Sequence, residues 1–139
     1  LVESLCEDLR DLDMDVTYSG PPSLLYPCRS VSLKRALRNL IENAVTYGRR
    51  ARVALKQTAT EVRIRIDDDG PGIPEADFER VFAPFVRLEE SRSQDTGGIG
   101  LGMAIARSIV RGHGGDVTLA NRAEGGLRVI LHLPIVELP

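Results

Sequence analysis

Asn39-Leu40-Ile41-Glu42-Asn43-Ala44-Val45-Thr46-Tyr47-Gly48 closes a stretch in which Leu33, Leu37, Leu40, Ile41, Ala44 and Val45 recur at intervals of three and four. That period predicts an amphipathic helix opened by Ser30 or Ser32 and ended at Tyr47-Gly48. Asn39 and Asn43 stand one turn apart opposite the apolar stripe, with Glu42 and Thr46 beside them. Asn is a mediocre helix former because its amide competes with the backbone, so two at this spacing need a reason. A solvated face is one. The other is a ligand face, where Asn oxygens help to hold a hard cation such as Mg2+ jointly with phosphates.

Upstream, Val2, Leu5, Cys6, Leu9 and Leu12 predict a first helix over about residues 1–11, and Met14 to Tyr18 alternates as a strand. Gly20-Pro21-Pro22 interrupts it, and Leu24 to Tyr26 can resume as a short second strand. Downstream, Arg52 to Gln57 and Glu61 to Asp67 each place apolar residues on one face, as in a half-buried antiparallel hairpin turning at Thr58-Ala59-Thr60. A short helix is expected from about Glu75 to Phe82, and the polar, aperiodic stretch from Arg87 to Thr96 reads as a mobile loop. A last helix from about Leu101 to Gly112 and two strands, 116–121 and 127–133, complete the order. These elements predict an α/β fold, a two-layer sandwich of helices packed on one face of a mixed, mainly antiparallel sheet.

The chain has 139 residues, 42% hydrophobic and 27% charged, as expected of one globular domain spanning residues 1–139. Lys and Arg total 18 against 20 Asp and Glu, which argues against a nucleic-acid partner held by bulk charge. Cys6 and Cys28 have no metal-ligand spacing, so two reduced, partly buried thiols are expected. No apolar run reaches the roughly 18 to 20 residues of a membrane span, and no signal sequence opens the chain, so a cytoplasmic location is expected. An amphipathic pattern opening on Leu1 rather than Met suggests a piece of a longer protein.

Two further motifs carry chemistry. Asp68-Asp69-Gly70-Pro71-Gly72-Ile73 follows a strand: it is either a plain turn, or a turn whose glycines let backbone approach a flat ligand while Asp68 accepts a hydrogen bond from an exocyclic amine such as that of adenine. Gly97-Gly98-Ile99-Gly100-Leu101-Gly102 opens a helix: it is either a flexible hinge or a phosphate site at a helix N-terminus. No Lys follows these glycines, so a P-loop is excluded, and the third glycine of the dinucleotide fingerprint is missing.

Taken in order, these motifs over essentially the whole chain strongly resemble the catalytic and ATP-binding domain of sensor histidine kinases, in the GHKL ATPase superfamily. Asn39 with Leu40-Ile41-Glu42-Asn43-Ala44 looks like the N box and Asp68-x-Gly70-x-Gly72 like the first glycine box. Phe78 to Arg87 looks like the phenylalanine box, Gly98-x-Gly100-x-Gly102 like the second glycine box, and Gly125-Gly126 like a weaker final element. The resemblance implies ATP and Mg2+ as cofactors. It places Asn43 on the metal and in catalysis, Asn39 on the phosphate side, Tyr47 near adenine, and Asp68 on the adenine amine. Gly70, Gly72 and Ile73 would form the base pocket floor. Gly98, Gly100, Leu101 and Gly102 would accommodate phosphates beneath a lid over about 87–98, anchored by Phe82 and Phe85, with Arg87 meeting phosphate charge. Phe82 and Phe85 also suit an ordinary core.

Two positions depart from the family's common pattern. Thr46 stands where Lys or Arg is common, which shifts weight to Arg87 or Arg92, and Ile99 stands where Ser or Thr is frequent. Glu42 is the candidate for polarising an incoming imidazole. The implied reaction passes the γ-phosphoryl group to a histidine on the kinase's own dimerisation domain, with a response regulator downstream. His113 and His132 suit structural roles better than that of acceptor. The isolated domain is expected to be a monomer that binds ATP without autophosphorylation, and the intact kinase a homodimeric inner-membrane sensor. The runner-up readings are an ATP-hydrolysing relative, disfavoured because Asn39 occupies the position of a water-activating Glu, and a degenerate binding module.

Overall fold

The computed structural model describes residues 2–12, 14–20, 30–82 and 102–135. Within them lie three α-helices, α1 (Val2–Asp11), α2 (Ser30–Gly48) and α3 (Gly102–Gly112). Five strands accompany them: β1 (Val16–Ser19), β2 (Ala51–Gln57), β3 (Glu61–Asp67), β4 (Asp116–Asn121) and β5 (Leu127–Pro134). The sheet order is β1-β2-β3-β5-β4, with β1 parallel to β2 and every other neighbour antiparallel. The mixed, mainly antiparallel sheet expected from the alternation is therefore present. The expected strand at Leu24–Tyr26, the polar loop 87–96 and Cys28 lie outside the described residues.

Strand alternation sorts the two faces of the sheet. Val53, Leu55, Val62, Ile64, Ile66, Val129, Leu131, Leu133 and Val117 point inward and are buried. The α2 stripe of Leu33, Leu37, Leu40, Ile41 and Ala44 covers them, together with Leu5, Cys6 and Leu9 of α1 and Ala106 and Val110 of α3. α2 thus lies on the sheet beside α1 and α3, with Asn39 and Asn43 half-buried away from its apolar stripe.

Three expectations are corrected in detail. Leu12 is 58% exposed, because α1 ends at Asp11 and the next residue falls past the packed stripe. Cys6 is wholly rather than partly buried. The segment 75–82 is not one helix but two 3₁₀ turns, Glu75–Asp77 and Arg80–Phe82. Its backbone bonds run from residue i to i−3, as Asp77 to Pro74 and Phe82 to Glu79. So few residues following a proline cannot recover the entropy of nucleating an α-helix.

Charge pairs tie the elements around the site. Arg107 of α3 reaches Glu79 at 2.9 Å and Asp116 of β4 at 3.0 Å, with its guanidinium 4.3 Å from the Phe82 ring centre. Phe82 thereby holds the 3₁₀ segment against α3. Hydrogen bonds from Arg107 and Arg111 hold Asp116 well below the usual carboxylate range.

A second network flanks the end of β3. Asp67, 7% exposed in its side chain, meets Arg128 at 2.8 Å and Arg65 at 3.3 Å. Asp69 receives both Arg52 guanidinium nitrogens at 2.6 and 2.9 Å, Arg122 at 3.1 Å and Arg50 at 3.3 Å. Hydrogen bonds from Arg52 and then Arg122 lower the Asp69 carboxyl to about 2.

Two outcomes follow from these contacts. Leu37 has no exposed surface, so Leu37→Ala removes core atoms at the helix–sheet seam and lowers unfolding free energy by about 3 kcal/mol. Urea denaturation measures this, and a loss below about 1 kcal/mol would contradict the packing. For Asp69 the folded pKa is below the unfolded one, so its contribution is complete above the unfolded value. It is lost as pH falls from about 4 toward 2. The urea midpoint therefore drops in that window, and Asp69→Asn flattens the drop; an unchanged slope would remove the arginine pairs from the explanation.

Candidate functional site

The site is built along one face of α2. Asn39, Asn43 and Tyr47 stand at successive turns over about 12 Å of helix, each half-buried. Glu42, beside them, accepts a hydrogen bond from Arg38 Nε at 2.7 Å one turn back and is 36% exposed in its side chain. Thr46 is exposed.

At the first end, α3 begins against the Asn pair. A Cβ placed on Gly102 would lie 3.8 Å from Asn43 Nδ2 and 4.0 Å from Asn39 Cβ. The start of one helix and the polar face of another thus meet, giving amide oxygens and backbone donors within one small region. The donor chemistry fits Mg2+ held by a side-chain oxygen together with phosphates and waters. It does not resemble an all-protein metal cage, since no cluster of three His, Cys, Asp or Glu occurs among the described residues.

At the other end, the turn after β3 folds onto the C-terminus of α2. Arg49 adopts φ +69°, reversing the chain, and the Asp69 N–H donates to the Gly48 carbonyl at 3.1 Å, satisfying a helix-end acceptor. Asp68, 6% exposed, sits inside this junction. Its Oδ1 accepts the Gly70 N–H at 2.9 Å and the Leu127 N–H at 3.0 Å. Among the described residues its Oδ2 meets no donor, so one oxygen is fixed by the backbone and the other is free for a ligand.

Close backbone approach explains two of the glycines. A Cβ on Gly126, at φ +95°, would lie 1.9 Å from the Asp68 carbonyl oxygen. A Cβ on Gly70 would lie 2.7 Å from the Tyr47 carbonyl oxygen, so the turn presses directly on the end of α2. Gly72 and Ile73 are buried and continue the turn toward β4.

The structure therefore brings Asn39, Glu42, Asn43, Tyr47, Asp68, Gly70, Gly72, Ile73 and Gly102 to one side of α2 and its flanking turn. Phe85, Arg87, Gly98, Gly100 and Leu101 lie outside the described residues, as do Arg92 and Ile99. His113 and His132 are elsewhere and engaged: His113 Nδ1 is 2.9 Å from the Ile109 carbonyl, and His132 Nε2 is 3.0 Å from Thr118 Oγ1. Two residues with contacts to the turn were not singled out from the sequence. Asn121 bonds both backbone groups of Ile73, and Arg122 bonds the Asp68 carbonyl. An Asn-Arg pair ahead of Ala-Glu-Gly-Gly carries the ordinary signal of a turn, and nothing local points to partners about fifty positions back.

Known proteins share both the sequence and the architecture. The family model described as histidine kinase-, DNA gyrase B-, and HSP90-like ATPase matches residues 28–137. The sensor histidine kinase GtrS of Pseudomonas aeruginosa is 50% identical over 113 residues, which is 81% of this chain and 23% of that protein. Sensor histidine kinase CpxA of Escherichia coli is 37% identical over 107 residues, 76% of this chain and again 23% of that protein. The chain thus spans about a quarter of the length of these relatives. Among solved structures, the mycobacterial sensor histidine kinase MprB superposes with TM-score 0.80 at 28% identity, covering 96% of this chain and 92% of that one. The ATP binding domain of PrrB from Mycobacterium tuberculosis superposes with TM-score 0.78 at 28% identity, covering 98% and 92%. The chain belongs to the histidine kinase-, DNA gyrase B-, and HSP90-like ATPase family, in the form of the ATP-binding catalytic domain of sensor histidine kinases.

Proposed function

We propose that this domain binds Mg-ATP along α2 and presents the γ-phosphoryl group to a histidine on the dimerisation domain of the same kinase, for relay to a response regulator. The observation that carries the reading is the half-occupied Asp68 carboxylate. Oδ1 is committed to two backbone N–H groups, and Oδ2 is left as an acceptor beside the glycine turn. An exocyclic amine on adenine supplies the missing donor, with Tyr47, Gly70, Gly72 and Ile73 around the base.

The triphosphate then runs toward Asn39, Asn43 and the start of α3. Mg2+, when bound there, neutralises phosphate charge; Asn43 supplies a side-chain oxygen to it and Asn39 lines the phosphates. In the transfer the bond from the γ-phosphorus to the bridging oxygen breaks, a phosphorus–nitrogen bond forms on the imidazole, and ADP leaves. In this reading Glu42 takes the imidazole proton; its pairing with Arg38 and its 36% exposed side chain support that role. His113 and His132 are held by their own neighbours, which agrees with an acceptor histidine on the dimerisation domain. Among the described residues no helix is long and apolar enough to cross a membrane. A monomeric isolated domain, and a homodimeric kinase anchored at the inner membrane with this domain in the cytoplasm, complete the proposal.

Titration with a non-hydrolysable ATP analogue tests the binding mode. Asp68→Asn replaces a pure acceptor by an amide that also donates, and weakens binding by about ten- to a hundredfold, with or without Mg2+. Asn43→Ala weakens it only when Mg2+ is present. Equal affinity of wild type and Asp68→Asn would refute the assignment of the base. In the intact kinase, Glu42→Gln leaves analogue binding unchanged and slows histidine phosphorylation by about a hundredfold; an unaltered rate would dismiss Glu42 from the chemistry.

A further inference from the structure

Asn121 is the last residue of β4, an exposed position where Asn has low strand propensity and no core to fill. Its side chain nevertheless makes two opposed hydrogen bonds to a single residue 48 positions earlier. Oδ1 accepts the Ile73 N–H at 3.0 Å, and Nδ2 donates to the Ile73 carbonyl at 2.7 Å. A neighbouring strand would supply the same pattern; a side-chain amide replaces it for a residue that lies beyond the end of β3 and has left the sheet. A Cβ on Gly72, at φ +74°, would lie 2.5 Å from Asn121 Oδ1, so a side chain there would displace the amide from Ile73.

Arg122, next in sequence, grips the other end of the same turn. One guanidinium nitrogen donates to the Asp68 carbonyl at 2.6 Å, to Asp69 Oδ1 at 3.1 Å and to the Gly125 carbonyl at 3.2 Å. Its side chain is only 12% exposed. Both ends of the Asp68–Ile73 turn are therefore held by adjacent residues of one strand end, whereas the turn's interior has glycines and a proline.

We propose that Asn121 and Arg122 are positioning residues that set base selectivity, by fixing where Asp68 Oδ2 stands relative to the Ile73 floor. The proposal rests on the reading of Asp68 as the group that accepts the exocyclic amine. Adenine places an amine donor where guanine places a carbonyl oxygen, so a rigidly aimed carboxylate rewards the first and repels the second. If the turn is free to shift, the carboxylate loses its aim, and a shifted or water-bridged guanine is no longer strongly disfavoured. Neither residue is placed at the Asn39, Asn43 and Gly102 end, so grip on the triphosphate is independent of them.

The 139-residue chain and its Asn121→Ala variant are titrated with three probes in the presence of Mg2+: a non-hydrolysable ATP analogue, the matching GTP analogue, and inorganic tripolyphosphate. The expected result is about tenfold weaker binding of the ATP analogue, with the GTP analogue and tripolyphosphate changed less than about twofold. The ratio of ATP to GTP affinities then falls about tenfold. Arg122→Lys, which keeps the charge but loses the fork, shifts the ratio in the same direction and serves if Asn121→Ala does not fold. A ratio left unchanged, or an equal loss on the ATP analogue and tripolyphosphate, overturns the proposal and leaves these residues with a general structural role. Wild-type protein that binds the two nucleotide analogues equally overturns the reading of Asp68 itself, and selectivity by positioning falls with it.

Discussion

A buried carboxylate that accepts two backbone N–H groups organises this domain. Asp68 Oδ1 joins the turn at Gly70 to the first residue of β5 at Leu127, while the adjacent peptide N–H of Asp69 closes the C-terminus of α2. Three elements distant in sequence meet at one side chain. A carboxyl group in so enclosed a place needs such donors around it, and removing them would leave desolvated acceptors without partners. The flanking carboxylates, Asp67 and Asp69, make the opposite choice and turn to arginines. The run of three aspartates is thus divided between backbone in the middle and guanidinium groups on either side.

The division also separates two jobs. Packing of the α2 stripe on the sheet stabilises the fold through apolar burial, which is tolerant of small displacements. The turn from Asp68 to Ile73 meets the core through Ile73 alone and is otherwise placed by directional bonds with Gly48, Leu127, Asn121 and Arg122. Hydrogen bonds constrain angle as well as distance. A turn placed by such bonds is held in orientation as well as in position.

Local chemistry made much of this legible. The period of Leu33, Leu37, Leu40 and Ile41 identified α2, and the alternation of Val53, Leu55, Val62, Ile64 and Ile66 identified the central strands, because burial selects those spacings directly. The Asn pair stood out as poorly suited to a helix interior, whereas Asp68 and the glycines fit ordinary turns and gained meaning only from their order along the chain. Leu12 and the 75–82 segment were read less well, since apolar spacing continues past a helix end and does not distinguish an α-helix from 3₁₀ turns over a few residues. Asn121 and Arg122 were invisible for a different reason. Their partners lie 48 and 54 positions back, and a contact set by how strands are ordered in the sheet leaves no periodic trace in the sequence.

The bond from Leu127 to Asp68 spans 59 positions, and it links β5 to a turn made long before. During synthesis, helix α2 and the β2–β3 hairpin emerge with the Asp68 carboxylate still lacking half its backbone donors, and it gains them only when β5 slots between β3 and β4. Such non-local pairing is slow compared with helix or hairpin formation. Until it is complete the nascent chain has its hydrophobic layers in part but lacks the bond that fixes the Asp68 carboxylate, so this turn takes its final form late in assembly.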